Sequence, residues 1–295
     1  MKFIHLTDLH VVPLGRRLYG LDPNERLRQA IADINAQHRD AEFVLITGDL
    51  VHHGEPAAYA ALRCALDQLE VPWHLLIGNH DHRAVFKTLF PETTLDEHGF
   101  VQAVVESSAG PFVLLDTHDP GTHQGRLCDR RLTWLDSTLA SLRGRDVFLA
   151  MHHPPLMLNL PAMDQIGLAD RAGLAEILAR HRNIRHIFFG HVHRPVHGAW
   201  QGVPFSTQRS LNHQVALHFD EQPGESIPGS HEPPAYAVVL ISDESIVIHV
   251  HDLLDVGPRF DLFDPTAERA ERIGDDLEQA VATARAARRV RLINK

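Results

Sequence analysis

The chain carries only two cysteines in 295 residues, Cys64 and Cys128. Two thiols cannot build a disulfide framework or a thiolate metal site. Cys64 falls within a helical pattern and is expected to be a buried free thiol. A basic surplus is missing as well: 28 Lys and Arg stand against 38 Asp and Glu, a net charge of −10. That argues against a nucleic-acid polymer held on a broad basic surface. It leaves room for a small anionic substrate, because bound divalent cations reverse the local field and stand outside that sum. Long apolar runs are also lacking. Met1 to Asp8 turns polar too early for a secretory signal, and no stretch approaches membrane-spanning length. The expectation is a soluble cytoplasmic protein with no membrane partner. With no internal repeat and no clear linker, a single domain over residues 1–295 is expected.

What is abundant is histidine, with 23 residues. It is the commonest metal ligand, so the count raises the prospect of a metal site without locating one. The apolar fraction of 44% and charged fraction of 22% are ordinary for a globular chain.

Apolar bounded runs alternate with helical patterns through the first two thirds. Strands are expected over Lys2–Thr7, Phe43–Ile46, Val71–Ile77, Phe100–Val105, Phe112–Leu115, Val147–Ala150 and Ile184–Phe189. Helices are expected after Asp22-Pro23-Asn24-Glu25, which reads as an N-cap, a proline at the first position and an acidic residue three beyond the cap. Further helices are expected over Glu55–Leu69, Arg83–Leu89, Asp129–Leu142 and Ala169–His181. Beyond residue 195 the pattern turns β-rich, with strands over His213–Phe219, Tyr236–Ile241 and Ser245–His251. Gln222 to Pro234 reads as a long exposed loop and Thr266 to Val290 as an Ala- and Arg-rich helix. Such alternation implies a layered α/β fold.

Five strands end in polar groups: Asp8 and His10, Asp49, Asn79 and His80, His152, and His191 and His193. The carboxyl edge of an open α/β sheet is where ligands bind. Singly, each is more easily an ordinary turn former or a surface histidine. Jointly and in order, accident is a poor explanation. The donors are oxygen and nitrogen with no thiolate, a set that suits Mn, Fe, Zn or Co over Ca or Mg. Seven ligands exceed one tetrahedral ion but suit two ions sharing a carboxylate. Two such ions about 3.5–4 Å apart supply the clamp and the activated water for in-line displacement at phosphorus. A histidine can protonate the departing oxygen.

Asp8-x-His10, Gly48-Asp49, Gly78-Asn79-His80-Asp81, His152 and Gly190-His191-Val192-His193 together resemble the five-block signature of the calcineurin-like metallophosphoesterases. The resemblance spans residues 8–193. It implies a four-layer α-β-β-α sandwich, completed by a β-rich part and a terminal helix over 194–295. It also implies that Asp8, His10, Asp49 and His193 hold one metal. Asp49 as bridge, with Asn79, His152 and His191, would hold the other. By the same resemblance His80 contacts the phosphoryl group and protonates the leaving oxygen, and Asp81 orients His80.

Gly48-Asp49-Leu50-Val51-His52-His53-Gly54 lacks the Asp-Arg pair of the Ser/Thr protein phosphatases, and Asp81 stands where those have Glu. Gly48 to Tyr59 and His152-His153-Pro154-Pro155 look like the class III cyclic-nucleotide phosphodiesterases and glycerophosphodiesterases. Leu18-Tyr19-Gly20 is similar to the latter, and Ser206 to Gln214 more weakly resembles their pocket edge. Asn79, His80, His193, Tyr19, His53 and His213 are the candidate substrate contacts.

The bland alternatives stay beside these. His153 is second-layer support or surface. His52, His53 and His82 either line the mouth or do not. His5, His74, His186, His218 and His249 are expected to be packed or exposed rather than functional. Arg16 and Arg17 read as solvated loop charge, and the tail residues Arg285, Arg288, Arg289 and Arg291 as a solvated or oligomer-forming face. The leading reading is a dinuclear hydrolase of small phosphodiesters, 3′,5′-cyclic nucleotides slightly ahead of glycerophosphodiesters. A phosphomonoesterase or nucleotidase, or a non-catalytic scaffold on the same fold, are the alternatives. A homodimer or higher homo-oligomer is left open.

Overall fold

A computed structural model of the chain describes residues 1–220 and 226–263. It divides into two compact units, residues 1–254 and 255–295. The described part of the second, 255–263, contains neither helix nor strand. The expected tail helix over Thr266–Val290, with its four arginines, lies outside the described residues, as does the 222–225 part of the expected loop.

In chain order the first unit runs β1 (Lys2–Leu6), α1 (Pro23–Gln37), β2 (Val44–Thr47), α2 (Pro56–Leu66), β3 (Trp73–Leu76), α3 (Arg83–Leu89) and β4 (Ala103–Val105). It continues β5 (Phe112–Leu114), α4 (Asp129–Ser141), β6 (Val147–Ala150), α5 (Pro161–Asp164), α6 (Arg171–Arg180) and β7 (Ile184–Phe188). It closes with β8 (Val196–Trp200), β9 (Val203–Thr207), β10 (Gln214–Val215), β11 (Gly229–Ser230), β12 (Ala235–Ile241) and β13 (Ile246–Asp252).

Two sheets form, ordered β13-β12-β1-β2-β3 and β4-β5-β6-β7-β9-β8, with β10 and β11 pairing separately. β1, β2 and β3 run parallel, as do β5, β6, β7 and β9. Alternate residues of these strands face opposite layers. Phe3, Leu45, Phe148, Ala150 and Phe188 point between the sheets, where Phe3 meets Phe112 and Phe188 edge-on at 5.1 and 5.2 Å. Ile4, Leu6, Val44 and Ile46 instead pack under Leu27, Ile31, Tyr59, Leu62 and Phe86 of α1, α2 and α3. Val147, Leu149 and Ile187 pack under Leu135, Leu139, Leu174 and Leu178 of α4 and α6. The result is the α-β-β-α sandwich. Burial on both faces explains why these strands read as continuous apolar runs.

α1 starts as its sequence dictates: the Asp22 side chain accepts from the backbone N–H groups of Asn24 and Glu25, with Pro23 at the first turn. Cys64 corrects an expectation. It is exposed, because it lies about 200° around α2 from Leu62 and so faces away from the Ala58, Tyr59, Leu62 and Leu66 stripe. The expected strand over His213–Phe219 shrinks to Gln214–Val215, whose partner Gly229–Ser230 ends the pairing after two residues. The hairpin of β8 and β9 was not anticipated. Its turn, Gln201-Gly202, places both residues at positive φ, the tight geometry that two-residue hairpins use. Among the described residues, no helix is long and apolar enough to cross a membrane.

Candidate metal centre

The turns that follow β1, β2, β3, β6 and β7 converge on one edge of the sandwich. Five of the seven expected ligands sit there at positive φ: Asp8 at 54°, His10 at 47°, Asp49 at 50°, His191 at 72° and His193 at 48°. For residues with a Cβ this left-handed backbone is unfavourable, and it persists only where surrounding contacts over-determine it. Those contacts are visible. Asp8 N donates to Gly48 O, His10 N to Asp49 O, and His191 N to both Asp8 carboxylate oxygens. Thr7 Oγ1 donates to Asp8 Oδ2 at 2.6 Å.

The side chains meet. His10 Nε2 lies 3.0 Å from His193 Nε2 and 3.6 Å from Asp49 Oδ2. His193 Nε2 lies 3.2 Å from Asp8 Oδ1. His152 Nε2 is 3.4 Å from Asp49 Oδ1 and 3.1 Å from Asn79 Oδ1, which is also 2.9 Å from His191 Nδ1. Asp49 therefore faces both halves of the cluster, one oxygen toward each.

The other ring nitrogens show what this geometry demands. His152 Nδ1 faces the Thr47 carbonyl at 2.7 Å, and His193 Nδ1 faces the His213 carbonyl at 2.8 Å. A carbonyl only accepts, so each Nδ1 carries the hydrogen, and in the neutral ring each Nε2 presents a lone pair. His10 Nδ1 faces His52 Nδ1 at 3.1 Å and completes the pattern if it donates. Lone pairs on His10, His152 and His193 are thereby aimed at carboxylate or amide oxygens, an arrangement that a cation stabilises. Buried His191 Nε2 has no partner. Separations near 3.0 Å match ligands around an ion with arms of about 2.1 Å. Metal-binding imidazoles commonly donate their second N–H in this way. The residues fit divalent metal.

Electrostatics agrees. Burial pushes the Asp8 and Asp49 carboxyls up, yet the surrounding imidazoles, His193 for Asp8 and His152 for Asp49, outweigh it and hold both below the ordinary range. Burial pushes the His152 imidazole down, but Asp49 and Asp8 carry it up to about 9. His193 is likewise raised by Asp8 against burial. Burial dominates at His191, which falls to about 3. The carboxylates thus stay ionised, and a metal entering the site competes with the protons that His152 and His193 attract.

His80 stands beside the cluster. Its backbone N–H donates to Asp49 Oδ1 at 2.9 Å, and Nδ1 donates to the His52 carbonyl at 2.8 Å, leaving Nε2 free. The His52 ring stacks on it at 4.7 Å. Asp81 does not hold His80, contrary to expectation. Its carboxylate accepts from the backbone N–H groups of Leu50, Val51 and Gly78 and from Tyr59 Oη, which tie the two turns together. Burial and the Asp49 charge push this carboxyl up to about 7 while those donors pull it down.

His123 was missed. Its Nδ1 accepts from Asn79 Nδ2 at 2.9 Å, which fixes the amide with Oδ1 toward His152 and His191. It lies not at a strand end but well into the loop between β5 and α4. That loop is anchored where Arg83 grips buried Asp116 through both carboxylate oxygens at 2.7 and 2.9 Å. His153 is buried; its Nε2 donates to the His123 carbonyl and its Nδ1 lies against Thr117 Oγ1, and so it supports the same loop.

A chamber of about 750 Å³ opens over the cluster, with Tyr19 and His213 on its lining, their rings 4.6 Å apart. A second cleft, about 770 Å³, carries His53 and His82 and meets the first at His52, Asn79, His80 and His123. Arg16 and Arg17 are exposed and line neither. Of the expected structural histidines, His5 and His186 are buried and bonded to Thr47 and Ser206, whereas His218 and His249 are exposed.

The chain belongs to the calcineurin-like phosphoesterase family, whose pattern matches residues 1–195. It is 47% identical over 270 residues to a "probable cyclic nucleotide phosphodiesterase" of Rhodopseudomonas palustris, covering 90% of this chain and 98% of that one. It is 30% identical over 223 residues to a "probable glycerophosphodiester phosphodiesterase" of Arcobacter nitrofigilis, covering 74% and 81%. Among solved structures, a dimetal phosphatase from Danio rerio superposes with a TM-score of 0.64 at 16% identity, over 86% of this chain and 96% of that one, a likeness of fold.

Proposed function

We infer that the chain is a metal-dependent phosphodiesterase acting on small diesters, 3′,5′-cyclic nucleotides or glycerophosphodiesters. The observation that carries the reading is Asp49 set between two groups of imidazoles, with His80 held next to both. Asp8, His10, Asp49 and His193 hold one ion and Asn79, Asp49, His152 and His191 the second, drawn from Mn, Fe, Zn or Co. When bound, such ions supply positive charge on the phosphoryl oxygens and a water acidified toward neutral pH.

The protein's residues do the rest. His80, fixed through Nδ1, presents Nε2 to the phosphoryl group; with both ring nitrogens protonated, the imidazolium gives the Nε2 proton to the departing alkoxide and is left neutral with Nδ1–H still on the His52 carbonyl. His52 keeps that ring in place by carbonyl and by stacking. His123 holds the Asn79 amide in the orientation a metal needs. The net charge of −10 argues against a polymer held on a broad basic surface, and the chambers are sized for small molecules.

The relatives' names support this reading, as does the full donor set, which a non-catalytic scaffold has no reason to keep. Kinetics with added Mn on cyclic AMP, glycerophosphoethanolamine and bis(p-nitrophenyl) phosphate test it, with p-nitrophenyl phosphate as the monoester counterpart. Absence of turnover on every diester would sink it, and a strong monoester preference would favour a phosphomonoesterase.

A further inference from the structure

The chamber above the cluster has a wall that the metal chemistry does not require. Met163, Ile166, Val215 and Ile227 form it. Met163 and Val215 are buried and pack with Leu160 and Val192 in a small cluster of their own, with Ile166 against it. Most of the wall is therefore already packed in place. Ile227 is 39% exposed, apolar surface that a ligand can remove from water.

Charge narrows what that ligand is. Among the described lining residues the sole carboxylate is Asp49, which faces the imidazoles. Among those same described residues Tyr19 is the sole Phe, Tyr or Trp, so they form no aromatic cage. Among the described lining residues an ethanolamine or choline headgroup meets no counter-charge beyond Asp49. A flat, uncharged heterocycle meets apolar side chains on its faces.

The polar side chains near the wall are already engaged. Gln214 spends its amide on the Ser210 N–H and carbonyl, Ser230 accepts from the Glu232 N–H, and His231 Nε2 bonds the Tyr19 carbonyl. We propose that this wall seats the nucleobase of a nucleotide diester, gripping its faces rather than reading its edge. The site then prefers base-bearing diesters over glycerol diesters and takes adenine and guanine alike. The proposal rests on the phosphodiesterase reading above.

Four substrates test it with the Mn-loaded full chain: cyclic AMP, cyclic GMP, the ribose 3′,5′-cyclic phosphate that lacks a base, and glycerophosphoethanolamine. Removing the base should raise KM about tenfold with kcat little changed, the scale of covering roughly 60 Å² of apolar surface. The two nucleotides should agree in KM within about threefold, a difference well under one such contact. Ile227→Asp should raise KM for both nucleotides to the baseless level and leave the baseless substrate unchanged. Met163→Ala should act in the same direction. Adenosine should compete with glycerophosphoethanolamine in the native protein and not in Ile227→Asp. Equal KM with and without the base, or an Ile227→Asp effect shared by all four substrates, would overturn this inference alone. Absence of turnover on all four would overturn the phosphodiesterase reading together with it.

Discussion

Gly78 sits where the turn after β3 passes closest to the rest of the site, and replacing it by alanine is the most local way to disturb both halves. A Cβ at this position would overlap Asp49 Oδ1 and lie 2.5 Å from Asp49 N and 2.7 Å from His152 Nε2. Ordinary contact begins at 3.4 Å, so Asp49, His152 or the turn must move by several tenths of an ångström to about 1 Å. Neither neighbour can yield freely. Asp49 is held by the His80 N–H and His152 by the Thr47 carbonyl. A metal site tolerates about 0.2 Å in ligand distance. Gly78→Ala should therefore weaken metal binding at least about 10–100-fold, as losses of supporting contacts do. It should also cost about 1–3 kcal/mol of stability through overpacking. Titration calorimetry with Mn²⁺ measures the first and urea unfolding of the metal-free protein the second. Gly229→Ala is the control, because its Cβ meets nothing closer than 3.9 Å. A Gly78→Ala protein that binds metal as tightly as the native chain would refute the placement of Asp49 and His152 as ligands.

His80→Ala should retain its metals and lose about 10²–10⁴ in kcat, more for an alkoxide leaving group than for p-nitrophenolate; metal loss instead would refute its role. His123→Ala removes the acceptor that orients Asn79, and affinity for one ion should fall about 10–100-fold while the other is kept. Equal affinity for both ions in that variant would show that the amide orients without help. Acid should destabilise the metal-free chain through His5 and His186, which burial lowers to about 3 and about 4. Both are depressed from 6.5, so their stabilisation is present above pH 6.5 and is lost as pH falls toward those values. By pH 5 each contributes a loss of about 2 kcal/mol. Urea midpoints between pH 7.5 and 5 should fall less steeply in His5→Gln; parallel profiles would contradict the buried neutral imidazole.

The legible part of the site is the part that lies on strand ends. Apolar runs such as Phe43–Ile46 and Val147–Ala150 read as strands because both their faces are buried, and the polar residue after each then falls at the ligand edge. That reasoning reaches Asp8, Asp49, Asn79, His152 and His191 without any knowledge of which strands are neighbours. It cannot reach His123. The residue's place depends on Arg83 and Asp116, which are 33 positions apart and bring its loop to the site only in the folded chain. Asp81 misled for a related reason. Adjacency to His80 in sequence suggested a partner, whereas the turn points the carboxylate backward onto the N–H groups of Leu50 and Val51. The β8–β9 hairpin was hidden because Gly198 and Pro204 break the apolar alternation by which strands are recognised. Cys64 shows that a helical pattern identifies a helix before it identifies which face a given residue occupies.

Asp49 is proposed to join two ions into one hydrolytic site. The most direct measurement strips the chain of metal and titrates it with Mn²⁺ while following cyclic AMP hydrolysis and bound metal together. Activity should climb to a plateau at about two ions per chain, and Asp49→Ala should neither reach that loading nor turn over substrate. A plateau at one ion per chain, or an Asp49→Ala protein that keeps both ions and its activity, would contradict it.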